Sequence, residues 1–456
     1  MTRSLSYPPS DPRRIWPDAR RVECAMSDFS AIPRGKVVDL DSFMAQQGCR
    51  LSSALWGMSL SGEVSGEVLG PIVPSTFADM RLVADADTLR AKAGRAHELS
   101  VICEPSGPLV RTASGRVIDA QELSPRAALR RVIQAWKQHG WRATVAPELE
   151  FFLLQPHTTQ PGQWQAAKPS PHMYVREQAC ESNSLERLGY FNAFFDAVYA
   201  HAEAFGIPLI GHDHEAAYAQ FEINLAPADP LSQADAVFRL KTIIKHCAAD
   251  LGFVATFAPK PFDHEPGTGL HWHISAQQAG EWPHVFATPD GVSTPDLSHF
   301  AAGIQQHMAA ALALMAPHDA SFRRLALADA APTRASFGEE DRDLALRVPT
   351  SPPTARRLEN RVAGGDSNPY LVLAASLGLG LMGSQHKLPL LLNPPTFPTH
   401  LPEALDLLHT SDVLRHILGD TLVDAFVGLQ RTEHQARLAH PEGPLAWDHQ
   451  HLTEGA

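Results

Sequence analysis

Two glutamates, Glu148 and Glu150, interrupt a run over 143–154 that is otherwise almost wholly apolar and reads as a strand. Successive side chains of a strand alternate between faces, so both carboxylates point the same way from a segment built to be buried. Neighbouring carboxylates in apolar surroundings lose hydration and repel each other, a cost that a cation offsets. The chain must therefore leave one face of this strand wet, as at a sheet edge, or bring positive charge to it. The pair alone does not choose between these.

Three further clusters bear on the choice. Glu215 and Glu222 form the next cluster, with Glu222 inside an alternating, strand-like run. Gly267-Thr268-Gly269-Leu270-His271-Trp272-His273-Ile274-Ser275 is a glycine-rich turn entering a strand, with His271 and His273 on one face. Paired histidines at that spacing suit a divalent metal or a phosphate, or are simply two half-exposed strand residues. Arg342, Arg347, Arg356, Arg357, Glu359 and Arg361 form the last cluster, and 357, 359 and 361 share a face as cation, anion, cation. That ladder is either a weak surface ion-pair row or a clamp for planar oxyanions. Taken together, five glutamates and a histidine suit hard cations and the arginines suit phosphates, an inventory that fits phosphoryl transfer.

The bulk properties agree. Of 456 residues, 50 are acidic and 38 basic, a net charge of -12, which speaks against nucleic-acid binding. The length predicts a large core and more than one domain. Cys24, Cys49, Cys103, Cys180 and Cys247 are scattered, with no CxxC pair, so a disulfide framework or thiolate zinc site is not expected and a reducing cytoplasm is. The arginines and prolines of residues 1–21 lack the apolar core of a signal peptide. The apolar stretch 371–382 falls short of the roughly 20 residues that span a bilayer.

Along the chain we expect a flexible arm over 1–21, a small α/β domain over 22–120 and a larger domain over 121–456. Ser124-Pro125-Arg126 predicts a capped helix over 124–136. Helices are expected over 185–205 and 231–251, and a long polar loop over 155–183. Strands are expected at 143–154, 220–225, 254–258, 269–275, 344–348 and 357–361, with mostly helical text from Pro369 on.

The order and spacing of these motifs resemble the glutamine synthetase family over nearly the whole chain. Asp28 through Arg34-Gly35-Lys36 resembles the N-terminal signature of that family. The Pro147–Phe152 run, the Glu215–Glu222 segment, Gly267 to Ser275, and Arg356 to Asn368-Pro369-Tyr370 follow in family order. The resemblance implies an α+β fold: a small N-terminal β-grasp-like domain, then a catalytic domain with a curved, mainly antiparallel sheet flanked by helices. It further implies ATP and two or more Mg2+ or Mn2+ ions per site. Glu150, Glu215 and Glu222 match the ligands of one ion, and Glu148, His271 and Glu359 those of the second. His273, Ser275, Arg347 and Arg357 match positions facing ATP, and Arg342 one facing the transferring phosphoryl group. Gly267, Arg324 and Arg361 match glutamate-binding positions. The implied assembly is a homo-oligomer, a dodecamer of two stacked hexameric rings with shared sites, which would set Asp79 at an interface.

Departures from the family pattern concern the amine. Ala330 stands where a flap glutamate helps bind and deprotonate ammonium, with Asp329 beside it, and Ser59 stands where the N-terminal domain carries an aspartate. Tyr218-Ala219 stand where Pro-Gly is usual, Pro266 precedes Gly267, and Asp341 precedes Arg342 in place of an asparagine. The runs 220–225, 256–261 and 359–370 look closest to the γ-glutamylpolyamine (γ-glutamylputrescine) synthetase branch. The expected activity is ligation of the glutamate γ-carboxylate to an organic amine through γ-glutamyl phosphate, with putrescine, a longer polyamine or a monoamine such as ethanolamine as acceptor. The competing readings are an ammonia-using glutamine synthetase, a catalytically silent ring-forming family member, and a metallohydrolase built on His271 and His273.

Overall fold

The computed structural model describes residues 11–73, 77–110, 116–159, 163–168, 182–326 and 331–456. Two sheets organise the chain. A six-stranded sheet runs in the order Pro33–Asp39, Arg21–Ser27, Arg95–Ser106, Asp79–Ala84, Gly48–Ser52, with Arg90–Lys92 added on Arg95–Ser106. A nine-stranded sheet runs Leu209–His214, Gln220–Leu225, Trp141–Pro156, Leu270–Gln278, Leu358–Asn360, Leu346–Val348, Phe337–Glu339, with Trp164–Ala166 and Val254–Thr256 also pairing to Trp141–Pro156. Every pairing in this second sheet is antiparallel except that of Phe337–Glu339 with Leu346–Val348.

Four of the long helices share one start signal. Pro125–Gln138, Pro230–Asp250, Pro295–Met315 and Pro369–Gln385 each open on proline, behind Ser124, Asp229, Thr294 and Asn368. Each of those side chains accepts a hydrogen bond from a first-turn N–H, while proline fills a position whose N–H would have no helical partner. Pro369–Gln385 is buried almost all round and meets Pro295–Met315 backbone to backbone. A Cβ on Gly303 would lie 2.2 Å from the Leu379 carbonyl oxygen, so only glycine permits that approach. Asn368 does double duty: its Oδ1 caps this helix and its Nδ2 donates to the carbonyls of Asp28, at 2.9 Å, and Phe29, at 3.2 Å. The helix Pro369–Gln385 is thereby tied to the N-terminal segment in which Asp28 is buried against Arg34 at 2.8 Å.

Three expectations differ from what is observed. The helix expected over 185–205 is broken into Leu185–Gly189 and Asn192–Phe205, because Phe191 leaves helical geometry to pack edge-on against Phe221. The expected polar loop contains the strand Trp164–Ala166, while its residues 160–162 and 169–181, Cys180 included, lie outside the described residues. Residues 11–20 of the expected flexible arm form a turn at Pro12–Arg14, bury Ala19 and donate from Arg20 N to His97 O at 2.9 Å.

Candidate active site

Strand register decides which side chains meet. Asn224 and His271 stand opposite Glu148 on its two sides, and Glu222 stands opposite Glu150. One step along, His273 pairs with Glu359, and Glu359 with Arg347. Directly paired residues share a face, so one side of the sheet carries Glu222, Glu150, Asn224, Glu148, His271, His273, Glu359 and Arg347. Their neighbours Leu149, Phe151, Phe221, Ile223, Leu270, Trp272 and Leu358 all point into the core and are fully buried. The alternation of the sequence is thus the two faces of one sheet.

The polar face has two ends with different chemistry. At one end His273 Nε2 lies 2.8 Å from Glu148 Oε1 and His271 Nδ1 lies 3.2 Å from Glu148 Oε2. Arg357 Nε donates to His273 Nδ1 at 3.1 Å, which leaves the Nε2–H of His273 to donate to Glu148. Glu359 is buried between Arg347 Nη1 at 2.9 Å and Arg361 Nη1 at 2.5 Å. Desolvation would push the Glu148 carboxyl up, but the histidine hydrogen bonds outweigh it and hold it well below the usual range. Glu359 is likewise lowered, the nearby His271, His273 and Arg361 overcoming its burial.

At the other end, Glu150, Glu215 and Glu222 converge, and no arginine or lysine among the described residues forms an ion pair with them. Burial, then Glu148, Glu150 and Glu215, pushes the Glu222 carboxyl up to about 10. Burial, then Glu150 and Asp213, pushes Glu215 up to about 7. Two amides missed in the sequence hold these carboxylates in place: Gln220 Nε2 donates to Glu150 Oε2 at 3.2 Å, and Asn224 Nδ2 to Glu222 Oε1 at 2.7 Å. Their alternation with Glu222 in the strand text was the available signal. Gly269 N also donates to Glu150 Oε2 at 3.0 Å, and a Cβ there would sit 2.7 Å from His271 Nε2.

The remaining expected residues fall around this face. Gly267 packs so closely that a Cβ would lie 2.8 Å from Arg324 Cγ, and its carbonyl accepts from Gln220 Nε2 at 3.0 Å. Arg324 is buried and donates to Val362 O at 2.8 Å, and Arg361 donates to Arg342 O at 3.0 Å. The exposed Arg342 lies near enough to Glu215 to act on its charge. Ser275 follows His273 on the same face, its Oγ donating to Thr144 O at 3.4 Å. Ser59 is buried, its hydroxyl 3.0 Å from that of Ser61. Ala330 and Asp329 lie outside the described residues. Ligand atoms of Glu150, Glu215 and Glu222, of Glu148, Glu222 and His271, and of Glu148, His273 and Glu359 each lie within 4.8 Å of one another. The first set is three carboxylates with no arginine or lysine ion pair among the described residues, the other two are two carboxylates and a histidine, and both kinds suit divalent ions.

A sheet face so furnished offers groups of side chains that could hold metal ions, on an α+β scaffold. Residues 122–443 match the glutamine synthetase catalytic domain model, and the chain belongs to the glutamine synthetase family of ligases. It is 29% identical to the gamma-glutamylputrescine synthetase PuuA of Escherichia coli, over 92% of this chain and 89% of that one. It is 32% identical to a glutamate–isopropylamine ligase of a Pseudomonas species, over 79% and 77%. The solved structure titled GmaS/ADP complex shares the fold, with a TM-score of 0.79, 23% identity and coverage of 95% and 97%. Ligases of this family use ATP and divalent metals and act on glutamate with an amine or ammonia. Among the described residues no helix is long and apolar enough to cross a membrane.

Proposed function

We propose that this chain joins the γ-carboxylate of glutamate to an organic amine at the expense of ATP. The observation that carries the reading is the polarity of the sheet face: uncompensated carboxylates at one end, and at the other Glu359 gripped by Arg347 and Arg361. In this reading Glu150, Glu215 and Glu222 hold one Mg2+ or Mn2+, and Glu148, His271 and Glu359 a second. When bound, the ions supply charge neutralisation to the phosphate oxygens of ATP. His273, Ser275, Arg347 and Arg357 line the nucleotide phosphates, with Arg342 beside the moving phosphoryl group. Gly267, Arg324 and Arg361 receive glutamate.

The chemistry then balances in two steps. An oxygen of the γ-carboxylate forms a bond to the γ-phosphorus of ATP as the bond to ADP breaks, giving an acyl phosphate. The lone pair of a neutral amine forms the amide C–N bond, the C–O bond to phosphate breaks, and the amine proton leaves with phosphate. Ammonium and a protonated organic amine must each lose a proton before attack, but ammonium has no carbon chain to bind and depends on carboxylates to hold it. Ser59 and Ala330 offer none, which favours an organic amine, as do the amine ligases among the relatives. The same reading divides the chain into the arm 1–21, an N-terminal domain 22–120 and a catalytic domain 121–456. It sets the N-terminal sheet of one subunit, with Asp79, against its neighbour in a two-ring dodecamer.

The test is ATP-dependent phosphate release with glutamate and Mg2+ across ammonium, putrescine, spermidine, ethanolamine and isopropylamine. Stimulation by an organic amine well above that by ammonium is expected. Ammonium serving as well as any amine would make this an ordinary glutamine synthetase.

A further inference from the structure

Away from the sheet face, four side chains meet around a cavity of about 10 Å³ whose lining includes His318, Gln430, Glu433 and Trp447. They are 3%, 0%, 2% and 3% exposed. Five of their polar atoms, His318 Nε2, Gln430 Oε1 and Nε2, Glu433 Oε2 and Trp447 Nε1, are buried with no hydrogen-bond partner among the described residues. Leaving even one such atom unsatisfied is expensive, on the order of 1–3 kcal/mol, so five around one space require a guest. The other charged groups of the lining are already engaged: His434 lies 2.9 Å from Asp319, and Arg437 donates to Asp448 at 2.7 Å.

The donor set names the guest. Trp447 Nε1 and the Gln430 amide nitrogen can only donate, which rules out a bare cation. Gln430 Oε1 can only accept, and so does Glu433 Oε2 when ionised, which disfavours an anion. The volume sits at the lower limit for a single water, which both donates and accepts. His318 Nε2 and Glu433 Oε2 are 3.7 Å apart, beyond a direct hydrogen bond and within reach of one bridging molecule. We infer that this cavity is a binding site for one structural water, bridging His318 and Glu433 and spending its other two hydrogen bonds on Trp447 and one atom of the Gln430 amide.

The bridge completes a continuous polar link. Leu60 N, in the loop that carries Ser59, donates to Glu433 Oε1 at 2.8 Å. On the far side His318 Nδ1 lies 2.9 Å from Asp366 Oδ2, which accepts from Ser321 Oγ at 2.6 Å. Ser321 belongs to the helix Asp319–Ala326, which carries Arg324. His318, Glu433 and Gln430 are thus positioning residues that join the Ser59 loop to the arginine helix. This consequence, unlike the water site itself, rests on the glutamate role proposed for Arg324.

The first test is a structure of the assembled wild-type protein at a resolution that shows waters. One peak within hydrogen-bonding distance of His318 Nε2 and Glu433 Oε2 is expected, and no peak there overturns the site. The second is Gln430→Leu, followed by thermal unfolding. If a water is held, losing the amide strands the remaining groups and lowers Tm by several degrees. If the space is dry, an apolar isostere removes two unsatisfied atoms, so an unchanged or higher Tm contradicts the inference. The third is kinetic: the same variant should raise KM for glutamate several-fold and leave KM for ATP unchanged, and an unchanged KM for glutamate overturns the link to Arg324. The first two readouts need no turnover, so they stand apart from any failure of the proposed reaction.

Discussion

Around Arg126, the buried carboxylates of Asp85, Glu104 and Asp235 converge on one guanidinium, every contact at 2.8 Å, with Arg130 at 3.7 and 3.9 Å behind it. On the sheet face, the carboxylates of Glu150, Glu215 and Glu222 converge with no ion pair to an arginine or lysine among the described residues. Both regions take carboxylates out of water, which is costly unless charge is matched. The first carries its own cations and joins the N-terminal sheet to helices Pro125–Gln138 and Pro230–Asp250. It is a structural clasp, completed by Tyr370 donating to Asp235 at 2.7 Å. In the proposed reading the second takes its matching charge from bound divalent ions, which is how a site differs from a brace.

The largest effect that would sharpen this contrast is on turnover. Glu148→Ala or Glu359→Ala should lower ligase activity roughly a thousandfold or more while the assembled protein keeps its size in solution. Near-normal turnover in either variant would break the distinction. Next, Arg126→Met should leave three buried carboxylates without their main partner and cost about 3–5 kcal/mol, read from urea unfolding. Little change there would show that the clasp is not what holds the two parts together.

A smaller, pH-dependent effect belongs to Glu222. Its folded-state carboxyl is pushed from 4.5 to about 10, by burial first and then by its acidic neighbours. Between those values the metal-free folded form holds a proton that the unfolded chain has released, so stability should fall as pH rises through that window. Glu222→Gln removes the dependence. In EDTA its Tm advantage over wild type should therefore grow from pH 6 to pH 9, and a shrinking advantage would contradict the charge account. The smallest effect is at Ala219, beside Gln220, which holds a left-handed φ of 53° that glycine adopts more readily. Ala219→Gly should stabilise by up to about 1 kcal/mol, detectable as a small rise in denaturation midpoint.

The sequence exposed one of the two regions and hid the other. Period-two alternation carried Glu148, Glu150, Glu222, His271, His273 and Glu359, because a strand keeps its functional side chains in local text. Register across strands is not local, so Gln220 and Asn224 were legible as strand residues but not as the groups that hold Glu150 and Glu222. The clasp was invisible for the same reason. Arg126 reads as a first-turn residue of a capped helix, and its partners arrive from positions 85, 104 and 235. Burial of Phe191 against Phe221 broke a helix whose own pattern ran straight through.

The central claim is that the Glu150, Glu215 and Glu222 end of the sheet face has no arginine or lysine ion pair among the described residues because divalent ions provide its positive charge. Mn2+ binding, followed by loss of the free-ion electron paramagnetic resonance signal, tests this on the intact protein without turnover. The account predicts at least two ions per chain in the wild type and one fewer in both Glu222→Gln and Glu359→Gln. A wild type that binds none, or variants that bind as many as the wild type, would contradict it.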